Sequence, residues 1–379
     1  MNKISIPTPK KSICFVADFL FVGGRESVLA DVTDLLVADY DVTVVTFYDI
    51  SKEMLEKLSP EVTVHSNTAG NCGGMIDYAR LSMPIIGNLK FHKYIPGYYD
   101  YLVLTQASYP LAAYSNKGKK VIFWVHTDKD VMYADSKNLS FLRKLNKLRL
   151  QIGYRKVDAT WVVADYIGER LRKAFDISNV YTLENPIDAQ KIIAQANEIT
   201  PDVVDPSYFH YVMVGRLSHE KGHIRALQAF KKISSEHRCK MLIVGDGYER
   251  NSLEKYVLEH GLTDRVIFVG HQKNPYPYIK SADAMVLPSE YESFGVVLLE
   301  AMILNVPVMS TATIGGKRVT NSGAYGILVE NTDDGIEQGM RQCLDRAHTK
   351  QKYVDKAYTW ALTFDKHALK SRLDELLKD

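Results

Sequence analysis

The chain has 379 residues, of which 46% are hydrophobic and 24% charged, so it is too long for one compact core and predicts two domains of ordinary size. Its 47 basic and 45 acidic residues leave a formal charge of +2, which excludes a global attraction to nucleic acid. No apolar run reaches the roughly 18 residues that a membrane-spanning helix needs. Four scattered cysteines form no metal-type pair, and a reduced cytosolic setting is the simplest expectation.

Near the start of the chain, the apolar run 13–22 resembles the core of a secretory signal. Asp18 interrupts this run, and Gly23-Gly24 with the charged residues after it stands where a cleavage site would be. We therefore expect no secretion through this segment.

Short β-rich runs alternate with helical patterns along most of the chain, which predicts parallel sheets covered by helices and so an α/β protein. In the first half the predicted strands are 12–17, 42–48, 62–65, 101–105, 120–125, 159–163 and 180–183. In the second half they are 210–214, 239–244, 266–269, 284–287, 306–310 and 326–329. A polar stretch that carries Pro186, Pro201 and Pro206 places the domain boundary near residues 188–207.

Ligands of open α/β sheets bind outside the carboxyl ends of the strands, so residues that directly follow strands are candidates for a site. Gly23-Gly24 follows the first strand and precedes a helix that begins near Glu26. Glycine lets the backbone approach a phosphate, and the free amides of a helix start can bind an anion. The pair lacks the three-glycine dinucleotide pattern, and a plain tight turn is the alternative.

His126 and Asp128 close the strand 120–125. Side chains at such a position can bond a sugar hydroxyl or orient a reacting group, and a structural histidine is the alternative. The spacing also suits a metal ligand pair, but no third ligand at a recognisable spacing accompanies it. We therefore expect no metal.

The segment 138–156 predicts a basic amphipathic helix. Its apolar residues near one helical face are Leu139, Leu142, Leu145, Leu148 and Ile152. We expect these residues to pack into the first domain. A helix of this kind can also lie on an anionic membrane, and both arrangements hold together if the leucines point inward and the lysines face lipid headgroups.

The stretch GRLSHEKG at 215–222 follows the strand 210–214 and precedes a helix predicted over 223–235. Arg216 and Lys221 would converge on the start of this helix, where two cations beside free amides can bind a diphosphate. An exposed basic loop is the alternative. Gly245-Asp246-Gly247 after the next strand is a similar candidate for binding phosphate, but a purely structural turn is the favoured interpretation.

The stretch SEYESFGVVLLEAM at 289–302 places Glu292 and Glu300 eight positions apart on either side of Gly295, which predicts a turn that opens a helix. Amides at the helix start can bind an anion, and the two carboxylates can accept hydrogen bonds from hydroxyl groups. A ligand that is both phosphorylated and polyhydroxylated, such as a nucleotide sugar, fits this combination.

In this order the motifs resemble the retaining glycosyltransferases of glycosyltransferase family 4. These enzymes have the GT-B fold, in which two Rossmann-like, doubly wound domains face each other across a cleft. The resemblance covers nearly the whole chain and rests on these motifs: Gly23-Gly24 with Glu26, His126, Asn185 to Asp188, Gly215 to Leu217 with Lys221-Gly222, Gly245 to Gly247, Pro288-Ser289, and Glu292 through Glu300. It implies an acceptor-side domain at 1–190, joined by a C-terminal helix at 362–379, and a donor domain at 205–360.

The resemblance also implies roles for the charged residues. Glu300 would bond the ribose hydroxyls, and Glu292 would bond hydroxyls of the donor sugar near the reacting carbon. Arg216 and Lys221 would neutralise the departing diphosphate, which stabilises the transition state more than the ground state and needs no metal or cofactor. Retention would follow from front-face attack through an oxocarbenium-like state, with the leaving phosphate taking the proton of the acceptor.

Further contacts follow from the same resemblance. The amides of Phe294 and Gly295 would touch the sugar or phosphate, Gly24 would approach the diphosphate from the opposite domain, and His126 would lie beside the sugar. The remaining residues of the implied donor site are Gly23, Gly215, Gly245 and Ser293.

Two departures from the family pattern stand out. Ser293 occupies a position where glycine is frequent, although serine is also well represented there. The stretch 314–318 replaces a glycine-rich turn that often carries a glutamate, and it leaves Lys317 and Arg318 without an assigned role.

The expected function is therefore transfer of a hexose from a nucleoside-diphosphate sugar, with a UDP-sugar as the expected donor, to a glycan or lipid-linked acceptor in cell-surface polysaccharide biosynthesis. The expected place is the cytoplasm, with the inner face of the plasma membrane open as a peripheral location. A nucleotide-sugar epimerase or hydrolase on the same fold and a non-catalytic partner subunit are the alternatives. The four residues Arg216, Lys221, Glu292 and Glu300 argue against a silent subunit, which has no chemical use for all of them.

Overall fold

The computed structural model describes residues 9–18, 20–21, 24–47, 49–66, 95–105, 116–126 and 141–378. The chain divides into two compact units, the first made of Met1–Pro186 with Leu369–Asp379 and the second of Ile187–Ala368. Each unit is built around its own parallel sheet.

In the described part of the first unit, seven parallel strands form a sheet in the order β3-β2-β1-β4-β5-β6-β7. The strands are β1 Lys11–Ala17, β2 Tyr40–Thr46, β3 Thr63–Ser66, β4 Tyr99–Leu104, β5 Gly118–Val125, β6 Ala159–Val162 and β7 Val180–Thr182. The helices are α1 Gly24–Leu36, α2 Lys52–Lys57, α3 Phe141–Lys156 and α4 Asp165–Phe175. Helices cover a parallel sheet on its faces, which explains why the central strands are continuous apolar runs, such as the fully buried residues 13–16 of β1.

The second unit contains six parallel strands in the order β10-β9-β8-β11-β12-β13. The strands are β8 Phe209–Val214, β9 Cys239–Val244, β10 Val266–Gly270, β11 Ala284–Leu287, β12 Val308–Thr311 and β13 Ile327–Val329. The helices are α5 Ala189–Gln195, α6 His223–Glu236, α7 Arg250–Glu259, α8 Tyr276–Lys280, α9 Val296–Ile303, α10 Ile314–Val319, α11 Asp333–Cys343, α12 Arg346–Thr349 and α13 Asp355–Leu362. A 3₁₀ turn spans His219–Lys221, and a π-helical turn spans Lys350–Val354.

Helix α6 shows how the sequence pattern fixes the packing of these helices. Ala226, Leu227, Phe230 and Ile233 are buried, and they recur at the three- and four-residue spacing of one helical face. This face packs in the same apolar cluster as strands β8 and β9, while the opposite face is exposed.

The predicted α/β architecture is confirmed. Every run predicted as a strand contains one, with ends that agree within two residues. In both units the chain first builds the sheet outward on one side and then crosses to the other side, so the strand order reverses between β1 and β4 and again between β8 and β11. Such a reversal is the topological switch point at which open α/β sheets bind ligands.

The first connection between the units differs from the predicted seam at 188–207. The units separate between Pro186 and Ile187. Helix α5 lies within the predicted seam but belongs to the second unit, because Ala189 and Ile192 are buried in its core. Asp188 caps this helix by accepting a hydrogen bond from the amide of Lys191. The prolines correctly indicated an irregular segment. The buried apolar residues of α5 determine that this segment packs on the second unit.

The second connection lies beside the first. Ile187 and Asp365 form an isolated parallel bridge, and the ammonium of Lys366 lies 2.7 Å from Asp188. The terminal helix α14 Lys366–Leu376 begins there, and its residues from Leu369 onward belong to the first unit. Lys370 binds Asp39 at 2.8 Å, and the hydroxyl of Tyr101 donates a hydrogen bond to the carbonyl oxygen of Leu377.

Candidate active site

Four loops of the second unit meet at the carboxyl edge of its sheet. They follow β8, β9, β11 and β12 and lead into α6, α7, α9 and α10 respectively. The strands are parallel, so all four loops emerge at the same edge, and those after β8 and β11 flank the switch point. The residues predicted to bind the donor in this half of the chain, from Gly215 to Glu300, all lie on or directly after the first three of these loops.

The loops after β8 and β9 are held together by close backbone contacts. The amide of Leu217 donates to the carbonyl oxygen of Asp246 at 2.9 Å, and the amide of Glu249 donates to that of Leu217 at 3.1 Å. Gly245 has a φ of +143°, and a Cβ there would lie 1.9 Å from the carbonyl oxygen of Gly215. Only glycine permits this approach, so Gly245 has a packing reason that is independent of any ligand.

The central feature of the site is an ion pair between Lys221 and Glu292. Nζ of Lys221 lies 2.6 Å from Oε2 of Glu292, and the two side chains are 26% and 13% exposed. The adjoining backbone reinforces this link between the two loops, because the amide of Glu290 donates to the carbonyl oxygen of Glu220 at 2.9 Å. Removing either charge would leave the other partly buried without a counter-charge, which costs more than it does at a surface.

Arg216 does not share this pairing. Its side chain is exposed, and within the described ranges it has no ion-pair partner. The sequence predicted that Arg216 and Lys221 converge on the start of α6. The structure places both on the loop before that helix, but it engages only Lys221 with a carboxylate.

Helix α9 begins where the sequence predicted, at Gly295, which adopts a left-handed conformation with a φ of +86°. Phe294 is buried, and its ring packs edge-on against Phe364 at 5.7 Å between centroids. The loop is also tied to α10, because the amide of Gly315 donates to the carbonyl oxygen of Glu292 at 2.8 Å. The first amides of a helix lack partners within that helix, so this fixed start can bind an anion.

Glu300 lies one turn inside α9 and is partly buried. Its Oε1 accepts a hydrogen bond from the hydroxyl of Tyr276 at 3.3 Å. Tyr276 is the first residue of α8. Sequence reasoning missed Tyr276 because it carries no motif, and only the packing of α8 beside α9 brings the phenol to the carboxylate.

The stretch that departs from the family pattern forms helix α10, which is capped by Thr313. Arg318 lies over the rings of Trp360 and Phe364, with centroid distances of 5.3 and 5.2 Å. This cation–π stacking gives Arg318 a packing role. Lys317 is exposed. Ser293 is partly buried, and its hydroxyl lies 3.4 Å from that of Tyr291.

A second residue that sequence reasoning missed is His223, the first residue of α6. It is 1% exposed, and within the described ranges its Nδ1 has no hydrogen-bond partner. The pKa of His223 is lowered to about 4, mainly by burial and to a smaller extent by the charge of Lys221, while the charge of Glu220 opposes the shift. The imidazole is therefore neutral at physiological pH.

The candidate residues of the first unit are only partly described. His126 is buried directly after β5, and its ring centroid lies 4.5 Å from that of Trp124. Gly24 begins α1. Gly23 and Asp128 lie outside the described residues.

The predicted inward face of the basic helix α3 is wrong at its C-terminal end. Leu148 and Ile152 are 52% and 39% exposed, whereas Leu150 and Tyr154 are buried. The ring of Tyr154 stacks on Phe175 at 4.9 Å, so the larger aromatic side chain determines which face points inward.

Among the described residues, no group of three histidine, cysteine or acidic side chains could hold a metal, and no helix is long and apolar enough to cross a membrane. Cys14, Cys239 and Cys343 are free and buried, and burial raises the pKa of each thiol. Cys72 lies outside the described residues. The expectation that no metal takes part stays a prediction.

Comparison with known proteins supports the resemblance. Residues 199–360 match the family model described as glycosyl transferases group 1. The N-acetylgalactosamine-N,N'-diacetylbacillosaminyl-diphospho-undecaprenol 4-alpha-N-acetylgalactosaminyltransferase of Campylobacter jejuni is 28% identical, and the match covers 91% of this chain and 93% of that protein. The N-acetyl-alpha-D-glucosaminyl L-malate synthase of Bacillus anthracis is 43% identical over 107 residues, which are 28% of each chain.

Solved structures share the fold over almost the whole chain. Sucrose-phosphate synthase from Thermosynechococcus elongatus has a TM-score of 0.77 at 19% identity, covering 97% of this chain and 98% of that one. Anabaena Alr3699/HepE in complex with UDP has a TM-score of 0.74 at 18% identity, covering 97% and 99%. Membership of family 4 within the group stays a prediction. Residues 199–360 thus match the group 1 glycosyltransferases, and the chain has the GT-B fold.

Proposed function

We propose that this glycosyltransferase transfers a hexose from a UDP-sugar to a lipid-linked glycan acceptor, with retention of the anomeric configuration, in the biosynthesis of a cell-surface polysaccharide. The observation that carries the proposal is the ion pair of Lys221 and Glu292 at the switch point of the second unit. The named acceptor of the Campylobacter relative and the UDP bound to the Anabaena protein support the choice of substrates.

The arrangement suits a ligand with a charged and a hydroxylated part. Lys221 provides a cation for the diphosphate, and the start of α9 provides amides that reinforce it. Glu292 neutralises Lys221 before the donor arrives and then accepts hydrogen bonds from sugar hydroxyls. Glu300, deeper in α9, accepts hydrogen bonds from the ribose. Arg216 adds positive charge from the exposed side of its loop.

The proposed reaction builds negative charge on the leaving group. The bond between the anomeric carbon and the phosphate oxygen breaks, and the acceptor oxygen forms its bond on the same face of the sugar. The acceptor proton passes to the departing phosphate. Fixed cations and amides stabilise this developing charge without reorganisation, and in this role they replace a metal ion. Glu292 acts by electrostatics and positioning, and it forms no covalent bond to the sugar.

For the acceptor, we infer that α3 contacts an anionic membrane surface. Lys144, Arg155 and Lys156 are exposed on a helix that contains no acidic residue. Leu148 and Ile152 on the same helix are exposed as well. Apolar side chains that enter the headgroup region between lysines and arginines are typical of helices that lie in the membrane interface. Such a contact would place the enzyme at the surface where a lipid-linked acceptor is anchored.

The decisive experiment is a calorimetric titration with UDP, GDP, ADP and their sugar conjugates, without metal and then with magnesium. Tight binding of UDP or a UDP-sugar without metal, lost in Glu300→Ala, supports the proposed donor site. Binding that requires magnesium contradicts the metal-independent role of Lys221. No binding by any nucleotide contradicts the proposal as a whole.

Product analysis tests the second half of the proposal. The donor that binds is incubated with and without an undecaprenyl-diphosphate-linked glycan, and the new glycosidic bond is assigned by NMR. An α-linked product from an α-linked donor supports retention. Release of free sugar without acceptor, or interconversion of the donor sugar, would favour the hydrolase or epimerase alternative.

A further inference from the structure

The phenol of Tyr276 and the carboxylate of Glu300 come from two different helices. Tyr276 begins α8, Glu300 lies in α9, and the hydroxyl donates to Oε1 across 3.3 Å. The two residues are 24 positions apart in the sequence. Any effect of Tyr276 on a ligand of Glu300 therefore depends on how these helices pack.

The orientation of Tyr276 is itself built by neighbouring segments. Its amide donates to Oδ1 of Asn274 at 3.2 Å. Nδ2 of Asn274 donates in turn to the carbonyl oxygen of Gln195 at 2.9 Å and to Oε2 of Glu198 at 2.8 Å. The ring packs, partly buried, against the apolar cluster that contains the buried face of α9. The backbone of Tyr276 is thus held from the loop after β10 and from the end of α5.

The chemistry of the pair leaves room for a ligand. An ionised carboxylate accepts hydrogen bonds at both oxygens and donates none. A donor at Oε1 limits rotation of the carboxylate of Glu300. A carboxylate has about four lone-pair sites, and the hydroxyl of Tyr276 occupies one of them. Tyr276 therefore restrains the carboxylate through a single acceptor site.

We propose that Tyr276 is a positioning residue that orients Glu300 for the ribose hydroxyls of the nucleoside diphosphate. This inference rests on the role proposed above for Glu300. It goes further in making discrimination between a ribonucleotide and a deoxyribonucleotide a joint property of Tyr276 and Glu300. A carboxylate held in one orientation loses less rotational freedom when the ribose binds, so the phenol contributes to affinity without touching the nucleotide.

The experiment measures binding of UDP, 2′-deoxy-UDP and 3′-deoxy-UDP to the full chain and to Tyr276→Phe by calorimetry. Removing the hydroxyl should weaken UDP binding about fivefold to tenfold, in the range of one ordinary net hydrogen bond, because Tyr276 acts on the nucleotide only through Glu300. Affinity for the deoxy analogue that lacks the hydroxyl bound by Glu300 should be unchanged. The affinity ratio of UDP to that analogue therefore falls. Tyr278→Phe, two residues along the same helix, is the matched control and should leave every affinity unchanged.

The other outcomes have distinct meanings. If Tyr276→Phe lowers the affinity for UDP and for both analogues equally, Tyr276 supports only the packing of the unit and the inference is wrong. If Tyr276→Phe binds all three as the unmodified protein does, the inference is also wrong. Glu300→Gln separates this failure from that of the proposed function. If Glu300→Gln keeps the full preference for UDP, the ribose role of Glu300 is wrong and the inference falls with it.

Discussion

Lys221 and Glu292 are 71 positions apart in the sequence, and their charged atoms lie 2.6 Å apart in the structure. One follows β8 and the other follows β11, the two neighbouring strands between which the strand order of the second unit reverses. A cation and an anion are therefore prearranged at the place where an open α/β sheet binds its ligand. Single substitutions at these positions therefore test the proposed role of each residue.

The first prediction concerns Lys221. Replacement by alanine removes the cation that would stabilise the departing diphosphate, so turnover should fall by roughly a hundredfold or more, as it does when a preorganised stabilising contact is lost. The measurement is the initial rate of transfer at saturating donor and acceptor, with the melting temperature recorded alongside. A catalytic loss much larger than any loss of stability would support the assignment.

Lys232→Ala is the matched control. Lys232 is paired with a glutamate as well, because its ammonium lies 2.7 Å from Glu337. Its side chain, however, is 60% exposed and lies on the outer surface of α6. Exposed pairs of this kind contribute little to stability. Turnover should stay close to that of the unmodified protein. Near-normal turnover in Lys221→Ala as well would remove Lys221 from the site.

The second prediction concerns Gly245, where a Cβ would lie 1.9 Å from the carbonyl oxygen of Gly215. Gly245→Ala forces the loops after β8 and β9 apart and strains a backbone of positive φ, so it should destabilise the second unit by about 2 kcal/mol or more. Gly261→Ala serves as control, since Gly261 also has a positive φ but no atom within 4 Å of the added Cβ. Its cost should be about 1 kcal/mol. Equal shifts of the urea midpoint would show that the close approach is unimportant.

The third prediction concerns pH. The pKa of His223 is lowered to about 4 from 6.5 by burial, so the unfolded chain binds more protons than the folded one between these values. The free energy of unfolding is therefore highest above pH 6.5 and falls as the pH falls towards 4. The lowered pKa of His223 accounts for about 3 kcal/mol of this difference.

His223→Gln should flatten this dependence, because glutamine does not titrate. The measurement is the difference in thermal midpoint between the unmodified protein and the variant at steps from pH 7 to pH 4, in which the contributions of the carboxylates cancel. The advantage of histidine should shrink as pH falls. A difference that stays constant across the range would mean that His223 is not buried in the neutral form.

The fourth prediction concerns the basic helix α3. Replacing Lys144 and Lys147 with glutamate reverses two charges near the proposed lipid surface, so binding to vesicles that contain anionic lipid should weaken by about tenfold or more. Cosedimentation at low and high salt measures this, and the loss should be greatest at low salt. Lys57→Glu with Lys173→Glu makes the same change of net charge on other helices of the first unit and should bind normally. Unchanged binding of the Lys144 and Lys147 variant would rule out the membrane contact.

Much of the fold was predictable because it depends on local pattern. A buried parallel strand needs a short apolar run and a covering helix needs a repeat near 3.6 residues, so every strand in the described ranges was recognised and α6 and α9 began at the predicted residues. The residues of the candidate site were predictable for a related reason. Lys221 and Glu292 lie on loops that follow strands, Glu300 lies one turn inside the helix after one of these loops, and a parallel sheet brings the carboxyl ends of its strands to one edge.

Other features were not predictable, since they depend on contacts between distant segments. The seam could be recognised by its prolines, but the assignment of α5 to the second unit follows from the burial of Ile192 in that core. The exposed face of α3 depends on the stacking of Tyr154 on Phe175. Arg318 acquired its packing role only from Trp360 and Phe364, which lie more than forty residues further along the chain.

The sequence by itself determined the α/β class of this protein, the order of its strands along the chain and the charged residues after them. Each of these features depends only on residue type and on spacing along the chain. Only the tertiary structure decided that Lys221 pairs with Glu292 while Arg216 stays exposed, and that Tyr276 reaches Glu300. The physical reason is that hydrogen bonds and ion pairs act over a few ångströms. The packing of separate helices and loops determines which side chains come that close. The spacing of residues along the chain does not predict these contacts.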